Sequence, residues 1–189
     1  LRFKPTNHIV YGEGLAILAG DGLLTLAFYF LSKGEYNPKV FEVLSYHAGI
    51  NGMILGQEYD ILETIDSLEA LESCYLLKTG GLFAAGLQMA GIIAGRENLD
   101  TLQDLAYKLG IVFQHQDDLL EVVSTIDIGK SKSSDEVRDK ATLLSYMEVD
   151  EALTYVDTMF TSIYETINAF AFETQYFMDL VKSISKRNI

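Results

Sequence analysis

Basic residues are scarce in this chain. Fourteen Lys and Arg stand against 27 Asp and Glu, a formal net charge of −13 over 189 residues. A surface that grips nucleic-acid phosphates needs clustered Lys and Arg, and an anionic membrane leaflet repels such a charge, so neither partner is expected. Cysteine is nearly absent as well. Cys74 stands alone and forms no disulfide within the chain, which suits a reducing, cytoplasmic setting. Only Pro5 and Pro38 occur, so no proline interrupts helical periodicity beyond residue 38. No membrane span is expected: Leu15 to Leu31 is apolar but carries Asp21, and Leu82 to Gly95 is short and holds Gln88. No basic region followed by an apolar core marks a signal peptide.

What is there reads as one globular unit covering 1–189. Hydrophobic residues make up 49% and charged ones 22%, ordinary values for a chain able to bury a sizeable core. Apolar residues recur at helical spacing nearly throughout, and strand-like alternation never persists, so the fold class is all-α. The spacing predicts helices at about 8–31, 38–56, 65–95, 100–123, 135–147, 150–171 and 174–186. Gln57 to Thr64 reads as a connector and Ser124 to Ser134 as a polar loop. Lys78-Thr79-Gly80-Gly81 sits inside the third helix, where adjacent glycines weaken the backbone ladder and predict a kink.

The most informative stretch is Phe113-Gln114-His115-Gln116-Asp117-Asp118-Leu119-Leu120-Glu121. It sets three carboxylates into a segment flanked by Ile111-Val112 and Val122-Val123. Buried carboxylates must pair, bind metal or take up a proton. Asp117 and Glu121 are four residues apart and share a helix face, with Asp118 beside them. A solvated acidic face and a magnesium site both fit that spacing; Mg²⁺ takes one or two carboxylates and leaves its other positions to water or phosphate. Downstream, Lys130, Lys132, Arg138 and Lys140 follow within a short run. They read either as a solvated loop or as point charges that close over a diphosphate. Lys78 lies in an apolar helix, where it snorkels outward or enters a polar cavity.

Taken in order, six motifs resemble the trans-prenyl (isoprenyl) diphosphate synthases, the group that includes farnesyl and geranylgeranyl diphosphate synthases. They are Lys4-Pro5-Thr6-Asn7-His8, Leu18-Ala19-Gly20-Asp21-Gly22-Leu23-Leu24, Gly56-Gln57-x-x-Asp60, Lys78-Thr79-Gly80, Phe113-Gln114-x-Gln116-Asp117-Asp118, and Gly129-Lys130 through Asp139-Lys140-Ala141-Thr142. The resemblance implies an isoprenoid synthase-type bundle of antiparallel helices around a central cavity, working in the cytoplasm as a homodimer. It also implies head-to-tail condensation of isopentenyl diphosphate with an allylic diphosphate, dependent on Mg²⁺. Carried over by position, Asp117, Asp118 and Glu121 become metal ligands of the second aspartate-rich motif, Glu121 standing where the family usually has Asp. Lys78, Thr79, Gln114, Lys130 and Lys140 become contacts to the allylic diphosphate. Phe113 would line the reaction centre, and Arg2 and Arg187 would hold isopentenyl diphosphate.

One motif is missing from the resemblance. In the family a first aspartate-rich motif precedes a tandem arginine, and here only Leu1-Arg2-Phe3 stands before Lys4. The expectation is that the chain is the C-terminal part of such a synthase, without the segment that sets product length. Two other readings stay open, a class I terpene cyclase and a non-catalytic partner subunit of a prenyl synthase.

Overall fold

The computed structural model describes residues 4–62, 65–123 and 140–187. Among these residues the chain forms nine α-helices, one π-helical turn and one 3-10 turn, with no strand. The first expected helix is broken in two. Helix α1 (Asn7–Tyr11) and α2 (Glu13–Leu31) meet at Gly12, whose φ of 86° lies in the left-handed region that glycine enters without a steric penalty.

The second expected helix is also two. Helix α3 (Lys39–Ala48) ends at a tight reversal, and α4 (Met53–Leu62) carries on through the stretch expected to be a connector. A Cβ on Gly52 would strike the His47 carbonyl, so only glycine lets the chain fold back there. The reversal matters because it puts Gln57 and Asp60 on a helix. Next come α5 (Leu68–Tyr75), a π turn (Leu76–Gly80) and α6 (Gly81–Ile93) in one continuous run. The Ser67 hydroxyl starts it by accepting the Ala70 N–H at 3.1 Å. The kink expected at Lys78–Gly81 is thus a widened turn.

Helices α7 (Leu99–Val123), α8 (Val149–Asn168) and α9 (Gln175–Ser185) lie close to their expected bounds. The helix expected at 135–147 is not formed over its described part. Thr142 is extended, and Leu143–Ser145 make a 3-10 turn in which the Thr142 and Ser145 side chains cap each other's backbone. Residues 124–134, read as a polar loop, and 135–139 lie outside the described residues.

Helix α7 has two working faces. Leu105, Leu109, Val112 and Leu119 pack with Ala152, Val156, Phe160, Ile163 and Ile167 of α8. Each such side chain contributes about 1.5–3 kcal/mol when removed from water, which fixes the rotation of α7. The other stripe runs Gln103, Tyr107, Gly110, Gln114, Asp117, Glu121 at steps of three and four. At its middle Gly110 packs on the backbone of Thr79 and Gly80, where a Cβ would collide. Lower down, His47 Nε2 donates to Gln88 Oε1 at 2.8 Å, and Gln88 Nε2 donates to Gln103 Oε1 at 2.9 Å, tying α3, α6 and α7 together.

Two helical stretches, Glu13–Leu31 and Leu68–Ile93, are long and apolar enough to cross a membrane by length and composition alone. The second forms part of the bundle with an ion-paired Lys78 at its middle. The first has Asp21 at its centre, a residue costly in hydrocarbon. Its Leu15, Ile17, Leu18, Leu23 and Phe30 are all exposed.

Candidate diphosphate and metal site

Two lysines from distant parts of the chain meet on one oxygen. Lys78 Nζ lies 2.9 Å from Asp60 Oδ2, and Lys140 Nζ lies 2.7 Å from the same atom. Helix α4 presents the carboxylate, the π turn presents Lys78, and the extended stretch before the 3-10 turn presents Lys140. Gly56 makes the approach possible, because a Cβ there would run into the Lys78 backbone. Burial pushes the Asp60 carboxyl up, but the hydrogen bonds from Lys140 and Lys78 outweigh it and hold it below its ordinary value. Nearby, the Cys74 thiol donates to the Gly56 carbonyl at 3.2 Å, and burial pushes its pKa up to about 11. Such a thiol is inert.

The second cluster gathers three residues that sequence reasoning named together. Arg187 Nη2 donates to Asp117 Oδ1 at 2.6 Å, and its guanidinium stands 4.6 Å from the centre of the Phe113 ring. The wholly buried Gln116 anchors the tail that carries Arg187: its Nε2 donates to the Ser185 carbonyl at 3.2 Å. Arg187 Nη1 is enclosed without a hydrogen-bond partner.

Between the clusters lies Tyr75. Its hydroxyl donates to both oxygens of Asp118, at 3.0 and 3.2 Å. Burial raises its pKa first, and the negative charges of Asp118 and Asp60 raise it further. One phenol therefore senses both clusters. Asp118 Oδ2 also accepts the Leu143 N–H at 2.9 Å. Burial dominates its titration and pushes the carboxyl up to about 6 against those two donors. Behind it, His115 is fully buried with Nε2 3.1 Å from Glu72 Oε1, which also accepts from the Tyr155 hydroxyl at 2.7 Å.

The structure does not gather the three carboxylates of the acidic motif. Asp117 turns to Arg187 while Asp118 is held by Tyr75 and Leu143, because successive helical residues point about 100° apart. Glu121 lies one turn beyond Asp117, partly buried. Thr79 packs against α7 at Gly110, and Gln114 stands on the same α7 stripe as Asp117. Arg2 and Lys130 lie outside the described residues. Sequence reasoning missed Asp60 as the partner of both lysines, Tyr75 as the link and Gln116 as the tail anchor. The Gly-Gln-x-x-Asp spacing was the available signal for Asp60, since it sets Gln57 and Asp60 one turn apart.

Among the described residues no three His, Cys, Asp or Glu side chains form a group able to hold a metal. Magnesium bound together with a diphosphate asks for less: one or two carboxylates, the remaining positions going to phosphate and water. Asp117 and Glu121 supply hard oxygens one helical turn apart, and the enclosed Nη1 of Arg187 awaits an anion. The residues present fit such a group.

An all-α bundle with lysines and carboxylates set for a diphosphate defines an isoprenoid synthase-type fold. The family model described as polyprenyl synthetase matches residues 2–181, and the chain belongs to that family. It is 35% identical to a geranylgeranyl diphosphate synthase of Cyanophora paradoxa, over 88% of this chain and 59% of that protein. It is 32% identical to a farnesyl diphosphate synthase of Micrococcus luteus, over 99% of this chain and 67% of that protein. Among solved structures, a geranyltransferase of Helicobacter pylori complexed with magnesium and isoprenyl diphosphate superposes with a TM-score of 0.82 at 28% identity. That match covers 97% of this chain and 63% of the other.

Proposed function

We propose that this chain condenses isopentenyl diphosphate with an allylic diphosphate, giving a short-chain trans-prenyl diphosphate of the farnesyl or geranylgeranyl type. The observation that carries the reading is the meeting of Lys78 and Lys140 on a single oxygen of Asp60. In a chain of net charge −13, two ammonium groups aimed at one point make a ready cradle for a polyanion. Asp60 acts as a stand-in, holding both lysines in place until diphosphate takes over.

Magnesium, when bound at Asp117 and Glu121, would offset the charge of the allylic diphosphate and make it a competent leaving group. Lys78 and Lys140 neutralise the same group from the other side. Phe113 turns its ring face to the cation that forms when the allylic C–O bond breaks, and Gln114 adds an amide dipole. The double bond of isopentenyl diphosphate then forms the new C–C bond, and a proton leaves to the departed diphosphate. Arg187 holds isopentenyl diphosphate after releasing Asp117. The bundle's apolar side chains keep water from the cation. The same reading places the protein in the cytoplasm as a homodimer, supported by the exposed apolar side chains of α2.

The test is a mass-resolved product assay with Mg²⁺, dimethylallyl diphosphate and isopentenyl diphosphate, beside calorimetry of Mg²⁺-dependent binding of the allylic substrate. A prenyl diphosphate product is expected, and its mass gives the chain length. Neither product nor metal-dependent binding would sink the reading. Lys78→Ala is expected to weaken allylic-diphosphate binding roughly tenfold or more, the size of a lost hydrogen bond between charged groups, while isopentenyl binding changes little. Equal losses for both substrates count against its role.

A further inference from the structure

Asp118 touches two elements that sequence keeps far apart. Its Oδ2 receives the N–H of Leu143, the first residue of the 3-10 turn, and its two oxygens share the Tyr75 hydroxyl of α5. Leu143 is wholly buried in the main core, and the Thr142–Ser145 capping pair locks the turn that it opens. Three residues upstream stands Lys140, whose ammonium reaches Asp60. Extended backbone rises about 3.3 Å per residue, so the anchor at Leu143 lies roughly 10 Å from the Lys140 Cα. A lysine on so short a leash has few places to put its ammonium.

We propose that Asp118 is a positioning residue: it pins the backbone at Leu143 and so delivers Lys140 to the diphosphate cradle at Asp60, rather than ligating metal. The identity of what Lys140 grips rests on the prenyl diphosphate reading; the anchor itself does not. A carboxylate suits the task. It accepts from a backbone N–H and a phenol at once, whereas a hydrophobic residue would leave the N–H at the start of a buried turn without a partner.

Asp118→Asn and Asp118→Ala separate the two roles. The Asn amide oxygen still accepts the Leu143 N–H, and its NH₂ donates to the Tyr75 oxygen, so the anchor survives while the negative charge a metal needs is gone. Binding of inorganic diphosphate with Mg²⁺, followed by calorimetry, should keep its metal half-saturation within about twofold in Asp118→Asn. In Asp118→Ala diphosphate affinity should fall roughly tenfold, the loss of one charge-assisted contact. Adding Lys140→Ala to Asp118→Ala should cost little more, because both remove the same contact.

Hydrogen exchange at the Leu143 amide gives a readout independent of any ligand. It should quicken at least tenfold in Asp118→Ala and stay near the parent rate in Asp118→Asn. A tenfold or larger shift in the metal requirement of Asp118→Asn would falsify the proposal, as would unchanged Leu143 exchange in Asp118→Ala. Should the Ala variant not fold, the isosteric Asn variant decides alone. Quickened exchange with no diphosphate binding by the parent would keep the anchor and remove the prenyl reading.

Discussion

Asp117→Ala is expected to lower turnover roughly 10³-fold, the effect of losing several kcal/mol of charge stabilisation at a metal-bound leaving group. The fold should survive. Asp117 is partly exposed and makes its main contact with Arg187, whose guanidinium keeps its place over the Phe113 ring. The stability loss is therefore expected to stay near 1 kcal/mol, that of a half-exposed ion pair. Single-turnover kinetics with an allylic diphosphate and a thermal melt measure the two effects separately. Near-parent turnover in a folded variant would remove Asp117 from the metal site. A collapse of the melt would show instead that the carboxylate holds the tail to α7.

Asp60→Asn carries the second large effect, and it is on stability. The substitution keeps the shape but leaves two ammonium groups, each within 2.9 Å of the same atom, without a countercharge. All three side chains are at least two thirds shielded from water, so mutual repulsion is only partly screened. A loss of about 2–4 kcal/mol at neutral pH is expected by chemical denaturation. Because folding depresses the Asp60 pKa, its contribution is complete above the ordinary carboxyl value of 3.8 and disappears as pH falls through the lower folded value. The parent and variant curves should converge in that acid range. Inorganic diphosphate with Mg²⁺ should restore much of the variant's stability at pH 7, by supplying the charge that was removed. Equal stabilities at pH 7 would mean the lysines are held by something other than Asp60.

The helices of this protein were legible wherever one apolar stripe ran unbroken, as along Leu105, Leu109, Val112 and Leu119 of α7. They were misread where glycine changed the direction of the chain inside an apolar run, at Gly12 and Gly52. Periodicity cannot reveal a reversal whose cause is a clash with a carbonyl five residues back. The site divides along the same line. Asp117, Phe113 and Arg187 were named from motifs, and the structure joins them. Asp60 was visible only as a letter in a motif, because its two partners lie 18 and 80 residues away. Asp118 was grouped with Asp117 by adjacency, although neighbouring positions on a helix look in different directions. The distinction between them rests on a backbone N–H, which no sequence displays.

The π turn at Leu76–Gly80 also changes how this protein tolerates length. A widened turn holds an extra residue, so the helical wheel after it runs out of step with the wheel before it. Removing one residue there would restore an ordinary helix and rotate α6 by about 100°. Gln88 would swing off His47 and Gln103, and Gly80 would leave the groove it shares with Gly110. The segment should therefore accept many exchanges of one side chain for another, yet no single deletion: its information lies in its count of residues as much as in their kind.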